Sequence, residues 1–279
     1  MSNQKESQAV GESDRRSISL ITVWHDAAPM ALFELLVKSV RDICMTGADG
    51  TLGALAIADW VIVDDSTPGI ESAVPAVGIV KYQHYNDDAK RALYMKVKSQ
   101  MESTRGRMLP KHSNWFHKMR LPVGLMRNLA CEMATGDIIV HLEVGYYYSP
   151  EAIRSMIAPL TSPSIPLTYS TSMNCYVPEK FVSFRTEPNR RSLEANAQVA
   201  SLAYWRRTWE SGRFDPQATE HECLRFVKGH KKRSRENAPA MVELVFKVPK
   251  DFKDAESNGW HYGPVDDAVF GFISDLAKS

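Results

Sequence analysis

Apolar and polar positions follow two different periods along this chain, and their order predicts the elements. Positions 18–24 form a β-branched, apolar run that stops at His25 and Asp26, the pattern of a strand buried on both faces. Over 29–45 the apolar residues Leu32, Leu35, Leu36, Val40 and Ile43 recur at helical spacing, which predicts an amphipathic helix. A second buried strand over 60–63 ends in the acidic and turn-forming residues 64–69. A third strand is expected over 77–85, then a helix with a loop over 86–117 that is rich in Lys, Arg and Met. A helix over 125–134 is ended by Gly136. A fourth strand spans 137–143, and Ser149, Pro150 and Glu151 supply the cap and first turn of the next helix.

Beyond Pro159 the pattern becomes strand-rich, with strands expected over 168–177, 180–186 and 197–204. A turn at 212–216 leads to a helix over 220–228, and a short amphipathic helix is expected over 266–278. Alternating βα units followed by strands imply an α/β fold with one mixed central sheet, parallel first and antiparallel later, flanked by helices. The polar positions 1–17 read as a disordered tail. Positions 18–279 read as a single domain with halves at 18–160 and 161–279.

Composition narrows the function classes. With 279 residues, 44% of them hydrophobic, the chain has ample material for a core. A net charge of +1 argues against nucleic-acid binding through a broad basic surface, and the basic run at 231–235 reads as a solvated loop. The four cysteines are far apart and form no CxxC pair, so neither a zinc site nor a disulfide framework is expected. No leader-like apolar segment and no apolar run near the roughly 20 residues of a membrane span occurs. These features point to a cytoplasmic protein.

Candidate chemistry gathers at strand ends, where open parallel sheets bind ligands. Three polar clusters lie there: His25 with Asp26, Asp64 with Asp65, and Glu143 with Gly145 and Tyr146. Carboxylates at such positions accept hydrogen bonds from a ribose or base edge, or ligate a hard cation that neutralises phosphate. Each one taken alone is equally an ordinary turn or cap acid. No glycine-rich phosphate loop is present, which disfavours dinucleotide enzymes and P-loop ATPases.

Four segments in order, 19–23, 60–67, 122–129 and 136–143, followed by 147–151, resemble the family 2 glycosyltransferases. The resemblance covers 18–160 and extends more weakly through 200–204 and the helix at 220–228. It implies the Rossmann-like nucleotide-diphospho-sugar transferase (type A) fold. It also implies a soluble enzyme that moves a sugar from a nucleoside diphosphate donor such as a UDP-sugar to a hydroxyl of a carbohydrate or glycoconjugate acceptor, with inversion. Asp26, in the cluster at the end of the first strand, is expected to take part in cofactor binding, and by the resemblance Asp64 or Asp65 would contact the uracil or ribose. Arg127 would sit near the nucleotide, with Asn128 fixing the adjoining loop. Glu143 would retain a metal ion, Mn2+ or Mg2+, that steadies the departing diphosphate. Glu220 or Glu222 would be the general base.

Two motifs depart from the family. Its acidic motif is usually Asp-x-Asp, whereas this chain has Glu143, Val144, Gly145 and Tyr146, so only Glu143 offers a carboxylate. The base motif reads Glu220, His221, Glu222, Cys223 in place of a paired acid. A second reading follows from them, a catalytically degenerate glycosyltransferase-like protein that serves as a binding or scaffold module.

Overall fold

A computed structural model of the protein describes residues 16–25, 29–45, 56–105, 120–177, 182–186, 197–219, 222–230, 235–236, 242–244 and 261–263. The first half alternates strands and helices: β1 (Ser17–Trp24), α1 (Met30–Met45), β2 (Ala56–Asp64), β3 (Val80–His84), α2 (Asp87–Arg105), α3 (Val123–Met133), β4 (Ile138–His141), β5 (Tyr146–Tyr147) and α4 (Pro150–Ile157). The second half is strand-rich: β6 (Leu167–Tyr169), β7 (Met173–Val177), β8 (Val182–Thr186), β9 (Ala203–Trp205), α5 (Arg206–Ser211), α6 (Glu222–Gly229), β10 (Arg235–Glu236), β11 (Val242–Leu244) and β12 (His261–Gly263).

The central sheet has seven strands in the order β10-β6-β9-β4-β1-β2-β3. Strands β3, β2, β1 and β4 are mutually parallel, and β9 runs against both β4 and β6. The fold is therefore α/β with a mixed central sheet and flanking helices, as the alternation of periods predicts. Strand order reverses between β1 and β4, so a Rossmann-like switch point lies where β1 and β4 end.

Period-two alternation assigns the two faces of the sheet. Leu20, Trp24, Trp60, Ile62, Ile138 and Val140 pack with Phe33, Leu36 and Val40 of α1 and with Ile153 and Met156 of α4. Ile21, Val23, Val61, Val63 and Ile139 pack with Leu125, Met126 and Ala130 of α3 and with Phe226 and Val227 of α6. Helix α4 starts as its sequence dictates, because the Ser149 hydroxyl accepts the Ala152 N–H at 3.1 Å with Pro150 in the first turn.

Several elements differ from expectation. The strand expected over 168–177 is two strands, β6 and β7, split between sheets, because the chain turns at Ser170 and Ser172. The strand expected over 197–204 is a 3-10 turn at Val199–Ser201 followed by β9. A smaller sheet, β12-β8-β7-β11-β5, joins the expected one. Its pairings bring positions 242–244 and 261–263 to segments at 146–147 and 182–186, a long-range match that local patterning does not carry. Positions 1–15 of the expected tail and the helix expected over 266–278 lie outside the described residues.

At the amino edge of the sheet, Asp59 ties three segments together. Its Oδ2 accepts Lys81 Nζ at 2.7 Å and the Thr135 N–H at 2.9 Å, while Thr135 Oγ1 donates to the same oxygen. Beside it the Ser19 hydroxyl accepts the Gly136 N–H at 2.7 Å. A Cβ on Gly136 would stand 2.5 Å from the Ser19 nitrogen, so glycine lets the turn into β4 touch β1. Burial alone would raise the Asp59 carboxyl, but its bonds to Lys81, Ser19 and Thr135 hold it below the ordinary carboxylate range.

Asp59→Asn is expected to cost about 1–3 kcal/mol of stability at neutral pH, measured by urea unfolding. Because the folded-state pKa is depressed, this stabilisation is complete above the unfolded value and is lost as pH falls through the folded one. The difference between wild type and variant should therefore close in acid. A second expectation concerns α3. A Cβ on Gly124 would lie 2.1 Å from the Asp215 carbonyl oxygen, so Gly124→Ala should lower stability by about 1–3 kcal/mol through overpacking, read from the same unfolding curves.

Candidate functional site

The carboxyl edge of the central sheet holds the candidate site. On the α3 face, alternation continues from Val63 to Asp65 and from Val23 to His25, and β4 leads through His141 to Glu143. Asp64 points to the opposite side of β2. Its Oδ1 accepts the Ser66 N–H and hydroxyl at 2.8 and 2.6 Å, and its Oδ2 accepts the Ile70 N–H and the Tyr82 hydroxyl at 2.9 and 2.5 Å. Both oxygens are spent on shaping the 65–70 turn, and burial together with Asp64 pushes the Tyr82 phenol up. Of the alternatives Asp64 and Asp65, the second stands on the face shared with Arg127.

Asp65 has its own two partners. Its Oδ1 lies 2.8 Å from His25 Nδ1, and its Oδ2 accepts the Leu121 N–H at 2.8 Å. Leu121 lies two positions before α3, next to its N-cap Pro122, so Asp65 anchors the end of that helix nearest the carboxyl edge. The helix is held at this end again by the Gly124 N–H, which donates to the Ala218 carbonyl at 3.0 Å.

Arg127, one turn further along α3, is the hub of the site. Its Nε donates to Glu222 Oε1 at 2.8 Å, and its Nη1 donates both to Glu143 Oε1 and to His141 Nδ1, each at 2.8 Å. The Arg127 side chain is 3% exposed. Burial alone would disfavour its charge, but Glu143 and Glu222 more than offset that and hold its pKa up. Its Nη2 meets no acceptor among the described residues.

The same hub fixes the state of His141. Since Arg127 donates to Nδ1, the ring proton resides on Nε2 and is donated to the Tyr204 hydroxyl at 2.9 Å. Tyr204 then turns its own proton toward Cys131 Sγ, 3.2 Å away. Burial and the neighbouring Arg127 charge lower the His141 pKa, so the ring stays neutral, and burial pushes the Cys131 thiol up to about 12.

Local geometry after β4 sets Glu143 in place. The Glu143 N–H donates to the Tyr148 hydroxyl at 2.9 Å, and the chain reverses through Gly145 at φ 94°, in the left-handed region that suits glycine. Asn128 faces the protein. Its Oδ1 accepts Trp209 Nε1 and the Phe214 N–H at 2.9 and 3.1 Å, and its Nδ2 donates to the Phe214 carbonyl at 2.9 Å. All three bonds are internal, so Asn128 ties α3 to the segment 209–214. Asp26 and Glu220 lie outside the described residues. Glu222 is buried at the start of α6 and paired with Arg127.

Among the described residues, the donor set does not fit a resident divalent cation. Glu143 is the one carboxylate over positions 141–148, and one of its oxygens is taken by a guanidinium hydrogen bond. Among the described residues, no group of three or more His, Cys, Asp or Glu side chains converges in a way that could hold a metal. Glu143, the residue expected to face a metal, is ion-paired with Arg127 at 2.8 Å.

Sequence reasoning left His25 and His141 without an assigned role. The first was noted only as the neighbour of Asp26, although period two along β1 puts it, with Val23, on the α3 face. The second lies two positions before Glu143 and shares its face by the same rule. No helix among the described residues is long and apolar enough to cross a membrane.

No protein-family model matches the chain, and no curated protein matches it. Among solved structures it is similar to glucosyl-3-phosphoglycerate synthase from Mycobacterium tuberculosis in complex with Mn2+, UDP and phosphoglyceric acid. That pair is 15% identical with a TM-score of 0.48, and the match covers 87% of this chain and 75% of the other. The same enzyme with Mn2+, UDP and glucosyl-3-phosphoglycerate gives 15% identity and a TM-score of 0.46, covering 87% of this chain and 76% of the other.

Arg127→Met leaves two carboxylates facing each other without their cation, and is expected to cost about 3–5 kcal/mol in chemical unfolding. Glu143→Gln should cost distinctly less, since the Glu143 side chain is 21% exposed and water screens the change.

Proposed function

We propose that the protein is a glycosyltransferase that takes a sugar from a nucleoside diphosphate donor such as a UDP-sugar and passes it, with inversion, to an acceptor hydroxyl. The single observation that carries this reading is the gathering of Asp65, Arg127, Glu143 and Glu222 on one face of the sheet at the switch point. Arg127 is tied directly to both glutamates there. The ordered resemblance of 18–160 to family 2 glycosyltransferases supports it independently.

Under this reading the chain's own residues divide the work. Asp65 and the 65–70 turn shape the nucleoside end. Arg127 presents Nη2 to the departing diphosphate and stabilises its charge without a metal. Glu222, held by Arg127 Nε through one oxygen, takes the proton of the acceptor hydroxyl as that oxygen attacks the anomeric carbon. Glu220 remains the alternative base. The acceptor is a carbohydrate or glycoconjugate.

A second reading, a glycosyltransferase-like binding module without catalysis, is favoured by one specific feature. Both candidate acids, Glu143 and Glu222, already neutralise Arg127, which leaves less positive charge for a diphosphate and a less available base.

Calorimetric titration with UDP, in EDTA and then with Mn2+, separates these readings from an unrelated function. The expected outcome is micromolar binding that survives EDTA. If no nucleoside diphosphate binds in either buffer, the donor-site reading is wrong. Given binding, Glu222→Gln should lower transfer or donor hydrolysis by about a hundredfold or more with UDP affinity little changed. Measurable binding with no turnover in the wild type would establish the non-catalytic reading instead.

A further inference from the structure

Arginine carries five N–H donors in a fixed fork, and burial calls for an acceptor for each one that a ligand does not take. Two of the acceptors around Arg127 are carboxylates, Glu222 on Nε and Glu143 on Nη1. The third is not. Nη1 also donates to His141 Nδ1 at 2.8 Å, on a ring wholly enclosed by the protein.

A guanidinium only donates, so Nδ1 presents its lone pair and the ring carries a single proton, on Nε2. The Tyr204 hydroxyl accepts that proton at 2.9 Å, with Cys131 Sγ 3.2 Å beyond it. Packing fixes the ring plane as well. The imidazole meets Phe214 edge-on, with centroids 5.6 Å apart, and lies tilted against Tyr204 at 5.5 Å. Held in tautomer and plane from behind, His141 gives Arg127 an acceptor that adds no charge.

That neutrality has an electrostatic reason. Glu143 and Glu222 already offset the one positive charge of Arg127. A third carboxylate at the end of β4 would repel any anion brought to the same guanidinium. A histidine acceptor completes the inner side of the fork without that repulsion. Only Nη2 is then left with no acceptor among the described residues.

We propose that His141 is a positioning residue for the donor diphosphate. As an uncharged acceptor backed by Tyr204, it locks the Arg127 guanidinium with Nη1 turned inward and Nη2 toward the ligand. The inference rests on the donor-site reading, in which Arg127 meets the diphosphate. It goes beyond that reading by naming the residue that aims the cation and the reason that residue is a histidine. His141 touches no ligand and acts through Arg127.

The test compares UDP with uridine, which lacks the diphosphate, on the full chain in EDTA. Calorimetry reads UDP affinity, and ligand-observed NMR reads uridine. His141→Leu should weaken UDP by about tenfold and change uridine less than about threefold, a split that a merely structural role would not produce. His141→Asn, whose amide oxygen can stand near the place of Nδ1, should keep UDP within about threefold of wild type. His141→Asp keeps an acceptor but adds charge, and should weaken UDP by about tenfold or more. Tyr204→Phe removes the acceptor behind the ring, should weaken UDP by about threefold with uridine unchanged, and serves if His141→Leu folds poorly. In wild type, long-range 1H–15N spectra should show His141 protonated on Nε2 alone. The role of His141 is overturned, and the donor site left standing, by a proton on Nδ1, by equal losses of UDP and uridine, or by no loss of UDP in His141→Leu and Tyr204→Phe. Wild-type UDP affinity in His141→Asp, or no recovery in His141→Asn, overturns it equally. Absence of UDP binding to wild type overturns the donor-site reading and this inference together.

Discussion

One buried cation holds the functional end of this molecule together. The Arg127 guanidinium joins α3 to the tip of β4 through His141 and Glu143, and to α6 through Glu222. A charge buried to this degree is tolerable only when it is paired and fully directed, and the two glutamates provide that pairing. Because the acids come from opposite halves of the sequence, the pair also sets where the second half sits against the first. The site is less a pocket lined by independent side chains than a single electrostatic unit whose members fix each other's positions.

The unit extends into neutral groups. Arg127 fixes the tautomer of His141, His141 donates to Tyr204, and Tyr204 turns toward Cys131. Tyr204 belongs to β9, the antiparallel strand seated between β6 and β4, so a change in charge at the edge is felt by a strand in the middle of the sheet. On the other side of α3, Asp65 anchors the helix end and orients His25. The two acids therefore hold one helix from both flanks, and the chemistry they offer outward depends on that rigidity.

Much of this was legible in the sequence. The β-branched runs at 18–24 and 60–63, the helical spacing over 29–45 and the Ser149-Pro150-Glu151 start each carry enough local signal to fix element type. Period two says which strand-end residues share a face, but Asp64 and Asp65 stayed alternatives until their partners were placed. What local pattern could not provide was partnership. Nothing near Arg127 in the chain announces Glu222, ninety-five positions away, and nothing near Asp65 announces Leu121. The partners of Asn128 were hidden for the same reason, since its three bonds go to Trp209 and Phe214, far along the chain. The second sheet was invisible because its short strands pair across long separations.

The seating of β9 between β6 and β4 has a consequence for how the chain reaches its native state. Strand β4 must wait for β9, and the α3 face must wait for α6, before their buried groups are covered. As the polypeptide emerges from the ribosome, Arg127 is made well before the Glu222 that shares its charge. The early half thus carries an unshielded apolar surface and an incompletely paired ion until synthesis passes α6, a window in which chaperone contact would protect it.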